Sequence, residues 1–502
     1  MSTENNSTKT PSMLDALTPI ILLIVLMGSS VYLFGEDSSF GPNQIALLIG
    51  TFTAAIIGLK NGYKWQAIEE GIVGGIALSL NACLILLAVG ALIGTWMLAG
   101  TVPTLVYYGL SLLNPSFFYA AACLICAIVA MSIGSSWTTA ATIGVALIGV
   151  ATAMDLSLAI TAGAIVSGAY FGDKLSPLSE TTNLAPAVAG TDLFEHIKYM
   201  LWTTVPSIII ALILFTTLGF QEDVVDSGSR ISAMQAIISE QFTIGWYTLV
   251  PLIVLLVVAV KKMPAFPAIF MAAVLGGIWA MIFQSELVLS KFNPDLLDKL
   301  SIFPAFLQDT IQSVMVVWQA MFTQLEYITG DDALDSLVNR GGMDGMLNTI
   351  WLIICAMSFG AVLDKVGLLK AIVGACLYGA KTAGDMVTRT ILTCFGANLV
   401  TADQYISIVM PGRMYKEEFT KRGLHQLNLS RSLEDGGTIT SPLIPWNTCG
   451  AYMHGVLQVS PLDYVFYAFF NLINPFMAIF YAYFGIKILR LEPPKVKIVT
   501  NK

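Results

Sequence analysis

Long apolar runs follow one another along most of this chain. In the first half they cover residues 14–34, 44–59, 72–98, 101–113, 116–134, 140–153, 156–171 and 198–219. In the second they cover 243–260, 264–283, 346–363, 367–380, 387–411 and 463–489. A helix needs about 20 apolar residues to cross the hydrocarbon core of a bilayer, and the shorter runs read as interrupted or re-entrant helices. The pattern predicts an all-α polytopic membrane protein with about 11–13 transmembrane segments.

Two polar segments break this pattern. GDKLSPLSETTNLAP runs from Gly172 to Pro186, and EDGGTITSPLIPWNTCG from Glu434 to Gly450. Both carry Gly, Pro, Asp, Ser, Thr and Asn between membrane-length runs. Hydrocarbon offers no partner to free backbone groups, so non-helical chain at that depth has to line a cavity or be buried in protein. These segments are therefore the candidate site.

Composition narrows the class. Apolar residues make up 56% of the 502 and charged residues 12%, against roughly 25% charge in soluble domains. Mean hydropathy is +0.75. The net charge of −8 comes without a basic block of the kind that holds nucleic acid. Cys83, Cys123, Cys126, Cys355, Cys376 and Cys394 lie in apolar runs, where thiols pack as small hydrophobes. The polar start MSTENNSTKTPS lacks the basic and apolar regions of a signal peptide, so the first span is expected to be retained. No His-Glu-x-x-His motif or paired-aspartate site of known form is present. An enzyme is not expected, nor any cofactor beyond transported Na+ and H+.

Three landmarks recur at nearly constant spacing. Gly94 in GALIGTWMLAG matches Gly360 in AMSFGAVLDKVG; Gly134 in SIGSSWTT matches Gly396 in CFGANLVT; Ser176-Pro177-Leu178 matches Ser441-Pro442-Leu443. This reads as an internal duplication. Lys60, Lys64, Lys261, Lys262, the 413–425 loop and the tail (Lys487, Arg490, Lys495, Lys497, Lys502) mark the cytoplasmic side. Acidic loops at 36–39, 221–226 and 330–335 then face outward. Both termini come out cytoplasmic and the two repeats inverted, an arrangement found in secondary transporters. The expected division is a tail at 1–13, a first repeat at 14–219, an external linker at 220–242, a second repeat at 243–489 with an external insert at 284–345, and a tail at 490–502. Within the insert, 303–323 reads as an amphipathic surface or partner-facing helix because of Gln308, Asp309, Gln312 and Gln319. A homodimer contact is one use for it.

A small cation crossing a membrane exchanges its water shell for oxygen ligands. Asp173, Ser176, Thr181 and Asn183 supply them in the first segment, with Ser135 and Thr138 upstream. Asp435, Thr438, Ser441 and Asn447 supply them in the second, with Asn398 and Asp403 upstream. A buried Asp can hold a proton or a cation and seldom both, which with alternating access suffices for cation/proton exchange. Sodium is expected at Asp173, Ser176 and Asp435. Asp173 beside Lys174, and Asp435 beside Glu434, equally suit a helix cap or an ion pair at the membrane edge. Single hydroxyls such as Ser135 also suit back-bonding within a helix. Arg431 could clamp a substrate carboxylate or mark the cytoplasmic boundary.

At these positions the sequence resembles the NhaC family of sodium/proton antiporters, within the ion transporter superfamily. The motifs are GDKLSPLSETTNLAP, IGSSWTT and LEDGGTITSPLIPWNTCGAYM, and the resemblance runs from about residue 15 to 490. It implies a bacterial inner-membrane protein exchanging external protons for internal sodium. By the same resemblance Asp173 and Ser176, with the Ser, Thr and Asn around them, and Asp435, Ser441 and Asn447 fall in the family's polar motifs. Similar members exchange organic acids such as malate and lactate with sodium and protons, and others carry amino acids. For such a substrate Arg431 and Trp446 are the candidate contacts.

Overall fold

The computed structural model describes residues 9–222, 227–300, 302–331, 334–335, 338–377 and 382–491. The tail lysines Lys495, Lys497 and Lys502, the first eight residues of the N-terminal tail and the end of the 367–380 run lie outside them. The chain is all-α, with an isolated bridge between Leu424 and Arg490 among the described residues.

Among the described residues eight helices are long and apolar enough to span a bilayer, or up to ten when two bent pairs are counted as single spans. The sequence pattern predicts more, and the difference lies in helices that carry polar or charged residues and in runs that are short or broken. The helices Leu158–Leu175, Ala383–Thr401 and Gln404–Lys421 have 18 to 19 residues, about 27 Å of rise. They carry Asp173 and Lys174, Arg389 and Asn398, and Arg413 and Lys416, so apolarity fails where length suffices. The run at 101–113 forms only the 12-residue helix Thr101–Leu112. The run at 387–411 is not one span: Ala402 takes φ 56°, and Asp403 caps a new helix at Gln404.

That break has a conformational parallel earlier in the chain. Phe118–Ile133 ends at Gly134 in the left-handed region, and Ser135 caps the helix starting at Ser136. Ala383–Thr401 ends at left-handed Ala402, with Asp403 as the cap. The conformational counterpart of Gly134 is therefore Ala402. Gly396, which the sequence spacing selects, sits inside a helix in open space.

Helix Trp65–Leu98, 34 residues long, is buried along its second half. The 284–345 insert docks there. Its helix Ala305–Phe322 buries Val316 and Ala320, and Gly342 N–H donates to the Gly90 carbonyl at 2.8 Å. A Cβ at Gly94 would lie 2.0 Å from the Ala320 carbonyl oxygen, so only glycine permits this approach. The other face exposes Phe306, Val314 and Trp318. The expected linker carries helix Ser227–Gln241; its stretch Ile231–Gln241 is bent 82° from Trp246–Val260.

Candidate functional site

Helix Leu158–Leu175 stops at Ser176-Pro177, and a second helix, Glu180–Ala189, starts after Ser179, whose hydroxyl caps it. A helix end leaves carbonyls without partners, and at membrane depth water cannot be relied on to satisfy them. Polar side chains of the motif do so. Thr182 Oγ1 donates to the carbonyls of Asp173 and Lys174 at 3.3 and 3.1 Å. Asn183 Nδ2 donates to those of Pro177 and Ser179 at 2.9 and 2.6 Å. The helix is held tightly against Phe118–Ile133, because Cβ atoms at Gly168 and Gly172 would lie 2.0 and 2.2 Å from the Cys123 and Ala127 carbonyl oxygens. This closeness brings Asp173 to Ser136.

The second break is built in the same way. Helix Gln426–Leu433 widens into a π-turn at Glu434–Thr438 before the chain leaves helical form and restarts at Thr448. Asn398 Nδ2 donates to the Gly437 carbonyl at 2.6 Å, and Asn471 Nδ2 to that of Ile439 at 2.8 Å. Asn447 Nδ2 reaches Asn398 Oδ1 at 3.1 Å, Ser441 Oγ the Thr438 carbonyl at 2.7 Å, and Trp446 Nε1 the Leu399 carbonyl at 2.8 Å.

Neighbours on a helix point about 100° apart, and Asp173 and Lys174 use that divergence. Lys174 forms an ion pair with Asp435, both side chains fully buried. Asn474 Nδ2 donates to the same Asp435 oxygen at 2.7 Å. The two breaks are thereby tied together by opposite charges. Asp173 faces the other way, and its Oδ2 accepts from Ser136 Oγ at 2.7 Å and from Ser136 N–H at 3.2 Å.

Asp173 lies in the wall of a cavity of about 660 Å³ that extends to the loop at Lys262–Pro264. Several helices begin at this cavity, among them those contributing Ser135, Ser136 and Thr138; Ser179, Glu180 and Thr181; Asp403, Gln404 and Tyr405; and Thr448. Helix N-termini carry partial positive charge and stabilise nearby carboxylates. Here the carboxylates are Asp173, Glu180 and Asp403, with Lys262 at the rim. Tyr405 donates to Glu180 Oε2 at 2.5 Å, joining the two halves. Trp137, also in the wall, stacks on Tyr452 with ring centroids 4.1 Å apart.

Of the residues expected from the sequence, Asp173, Thr181, Asn183, Ser135, Thr138 and Asp403 come together around this cavity. Ser135 and Asp403 also cap helices, accepting from Thr138 N–H at 3.2 Å and Ile406 N–H at 2.8 Å. Ser176, Asn398, Asp435, Thr438, Ser441 and Asn447 are buried outside the lining. Of the three residues expected at sodium, Asp173 is in the lining and Ser176 and Asp435 are not. Arg431 is fully buried, with its guanidinium 4.3 Å from the Tyr199 ring centroid, and Trp446 is tied to Leu399; neither lines the cavity. No cluster of three or more His, Cys, Asp or Glu side chains suited to a metal occurs among the described residues. Gln404 and Tyr405 were hidden in the sequence because they fall inside a run read as one span. The helix break that presents them follows an ordinary alanine.

The family model described as the Na+/H+ antiporter family matches residues 168–486, which contain both breaks. The chain is 36% identical to the Na(+)/H(+) antiporter NhaC of Alkalihalophilus pseudofirmus, over 88% of this chain and 90% of that protein. It is 35% identical to the malate-2H(+)/Na(+)-lactate antiporter of Bacillus subtilis, again over 88% and 90%. It is 32% identical to the arginine/ornithine antiporter ArcD of Halobacterium salinarum, over 97% and 94%.

Proposed function

Because this chain belongs to the Na+/H+ antiporter family, we propose that its Na+/H+ exchange takes place at the cavity headed by Asp173. The observation that carries the assignment is the setting of that carboxylate, 8% exposed, in a cavity wall, with one oxygen held by Ser136. A carboxylate at such depth is stable when neutralised, and a proton and a sodium ion compete for the same oxygens. Loading sodium on one side and a proton on the other, with the cavity open to one side at a time, exchanges the two. Asp435 has a different part in this reading. Its charge is already met by Lys174, so it couples the two breaks and leaves cation binding to Asp173.

The two halves work as inverted repeats in a bacterial inner membrane with both termini cytoplasmic, and the cavity faces the cytoplasm in this conformation. The support is the paired helix breaks and the Lys261-Lys262 loop beside the cavity mouth.

A second reading, sodium- and proton-coupled exchange of a small organic acid or amino acid, is favoured by cavity size. About 660 Å³ falls in the range of small-molecule sites, roughly 300–1,000 Å³. Two relatives are named for such exchanges. Contacts to an organic solute would come from Lys262, Trp137 and Tyr405, which line the cavity. Proteoliposomes that report internal pH separate the readings. Under the first, sodium alone moves protons in the wild type and Asp173→Asn abolishes the signal. Proton movement that requires an added organic solute selects the second. Full sodium-driven exchange in Asp173→Asn rejects Asp173 as the shared carrier.

A further inference from the structure

We propose that Ser136 is a positioning residue for cation binding: it clamps Oδ2 of Asp173 and leaves Oδ1 as the oxygen for which sodium and the proton compete. The inference rests on the antiport reading above and adds a residue and an orientation to it. Ser136 is 3% exposed and is the first residue of its helix. That helix start already has a cap, since Ser135 Oγ accepts from Thr138 N–H. Hydroxyls further along fold back on their own helix, Thr139 Oγ1 to the Ser135 carbonyl at 2.9 Å and Thr142 Oγ1 to that of Thr138 at 2.7 Å. The Ser136 hydroxyl instead crosses to another helix, and its backbone N–H joins it on one oxygen of Asp173.

The two donors are not equivalent. A hydroxyl can donate or accept, whereas a backbone N–H can only donate. Oδ2 is therefore kept as an acceptor whatever Asp173 binds, and the incoming proton or cation is directed to Oδ1; the Ser179 hydroxyl also acts on this carboxylate. The clamp is fixed by packing: Gly134, with φ +77°, would bring a Cβ to 2.5 Å from the Leu178 Cβ, so the turn before Ser136 is seated against the break after Asp173. Both donors stabilise the charged form that sodium requires.

The test is sodium-driven exchange in proteoliposomes for wild type, Ser136→Ala, Ser136→Thr and Asp173→Asn, each with a sodium titration. Ser136→Ala should raise the sodium concentration for half-maximal exchange by ~10-fold or more, as expected for one lost charge-assisted hydrogen bond. Its maximal rate should stay within about twofold, because Asp173 remains. Ser136→Thr, which keeps the hydroxyl, should restore sodium dependence to near wild type. An unchanged sodium dependence in Ser136→Ala overturns the inference. So does an equal fall in maximal rate in both the Ala and Thr variants, which would mark a merely structural role. If Ser136→Ala is not recovered folded, Ser136→Cys gives the same comparison with a poor donor. Exchange surviving in Asp173→Asn would sink the placing of exchange at Asp173, whereas loss there with an unaffected Ser136→Ala would sink only the clamp.

Discussion

Adjacent residues at the first break have opposite fates. Lys174 and Asp435 form a fully buried pair between the breaks. Such a pair gains little over apolar replacements, but removing one partner strands the other charge, at a cost of about 3–5 kcal/mol. Lys174→Met and Asp435→Leu should each lower thermal stability in detergent by several degrees. The double variant should recover much of the loss, so the two effects will not add. Additive losses would show that the pair is not the reason for burying either charge. The polar character of both positions was plain from the sequence. Their pairing was not, because they lie 261 positions apart and each has a nearer opposite charge in the sequence, Asp173 for Lys174 and Arg431 for Asp435.

At the scale of elements, glycine positions decide how closely the site helices approach. Gly168 and Gly172 meet carbonyl oxygens of Phe118–Ile133, and a backbone atom cannot turn aside as a flexible side chain can. Gly168→Ala and Gly172→Ala should therefore separate the two helices, reduce folded yield and impair exchange. Gly396 has nothing within 4 Å of its Cβ position. Gly396→Ala should leave exchange intact and stabilise the helix by up to ~1 kcal/mol, measured as thermal stability in detergent. Damage of equal size at Gly396 would restore it as a true counterpart of Gly134. Helices were legible where apolar runs were long, and both motif breaks were legible from Pro and Gly. The break at Ala402–Asp403 was not, because alanine signals helix and its left-handed conformation is imposed by surrounding contacts, among them the Thr448 N–H donating to its carbonyl at 2.8 Å.

For the whole molecule, the cytoplasmic cavity mouth proposed above beside Lys262–Pro264 is testable by labelling. Cysteines placed at Asn183 and Lys262 should react with a membrane-impermeant maleimide in inverted vesicles and be protected in right-side-out ones. The opposite pattern would reverse the orientation. By itself the sequence determined that the protein is an α-helical membrane protein interrupted by two polar breaks, and it put Asp173 first among the candidates. Those properties follow from the energetics of the bilayer, which penalises charge and free backbone wherever they occur and so writes them into local composition. Tertiary structure decided which polar residues face the cavity and which satisfy the carbonyls of the breaks. It sent Asp435 to Lys174 and Arg431 to the Tyr199 ring, away from the cavity. That division depends on helix rotation and contacts between distant segments, and an Asp lining a cavity looks the same in sequence as an Asp held in a buried ion pair.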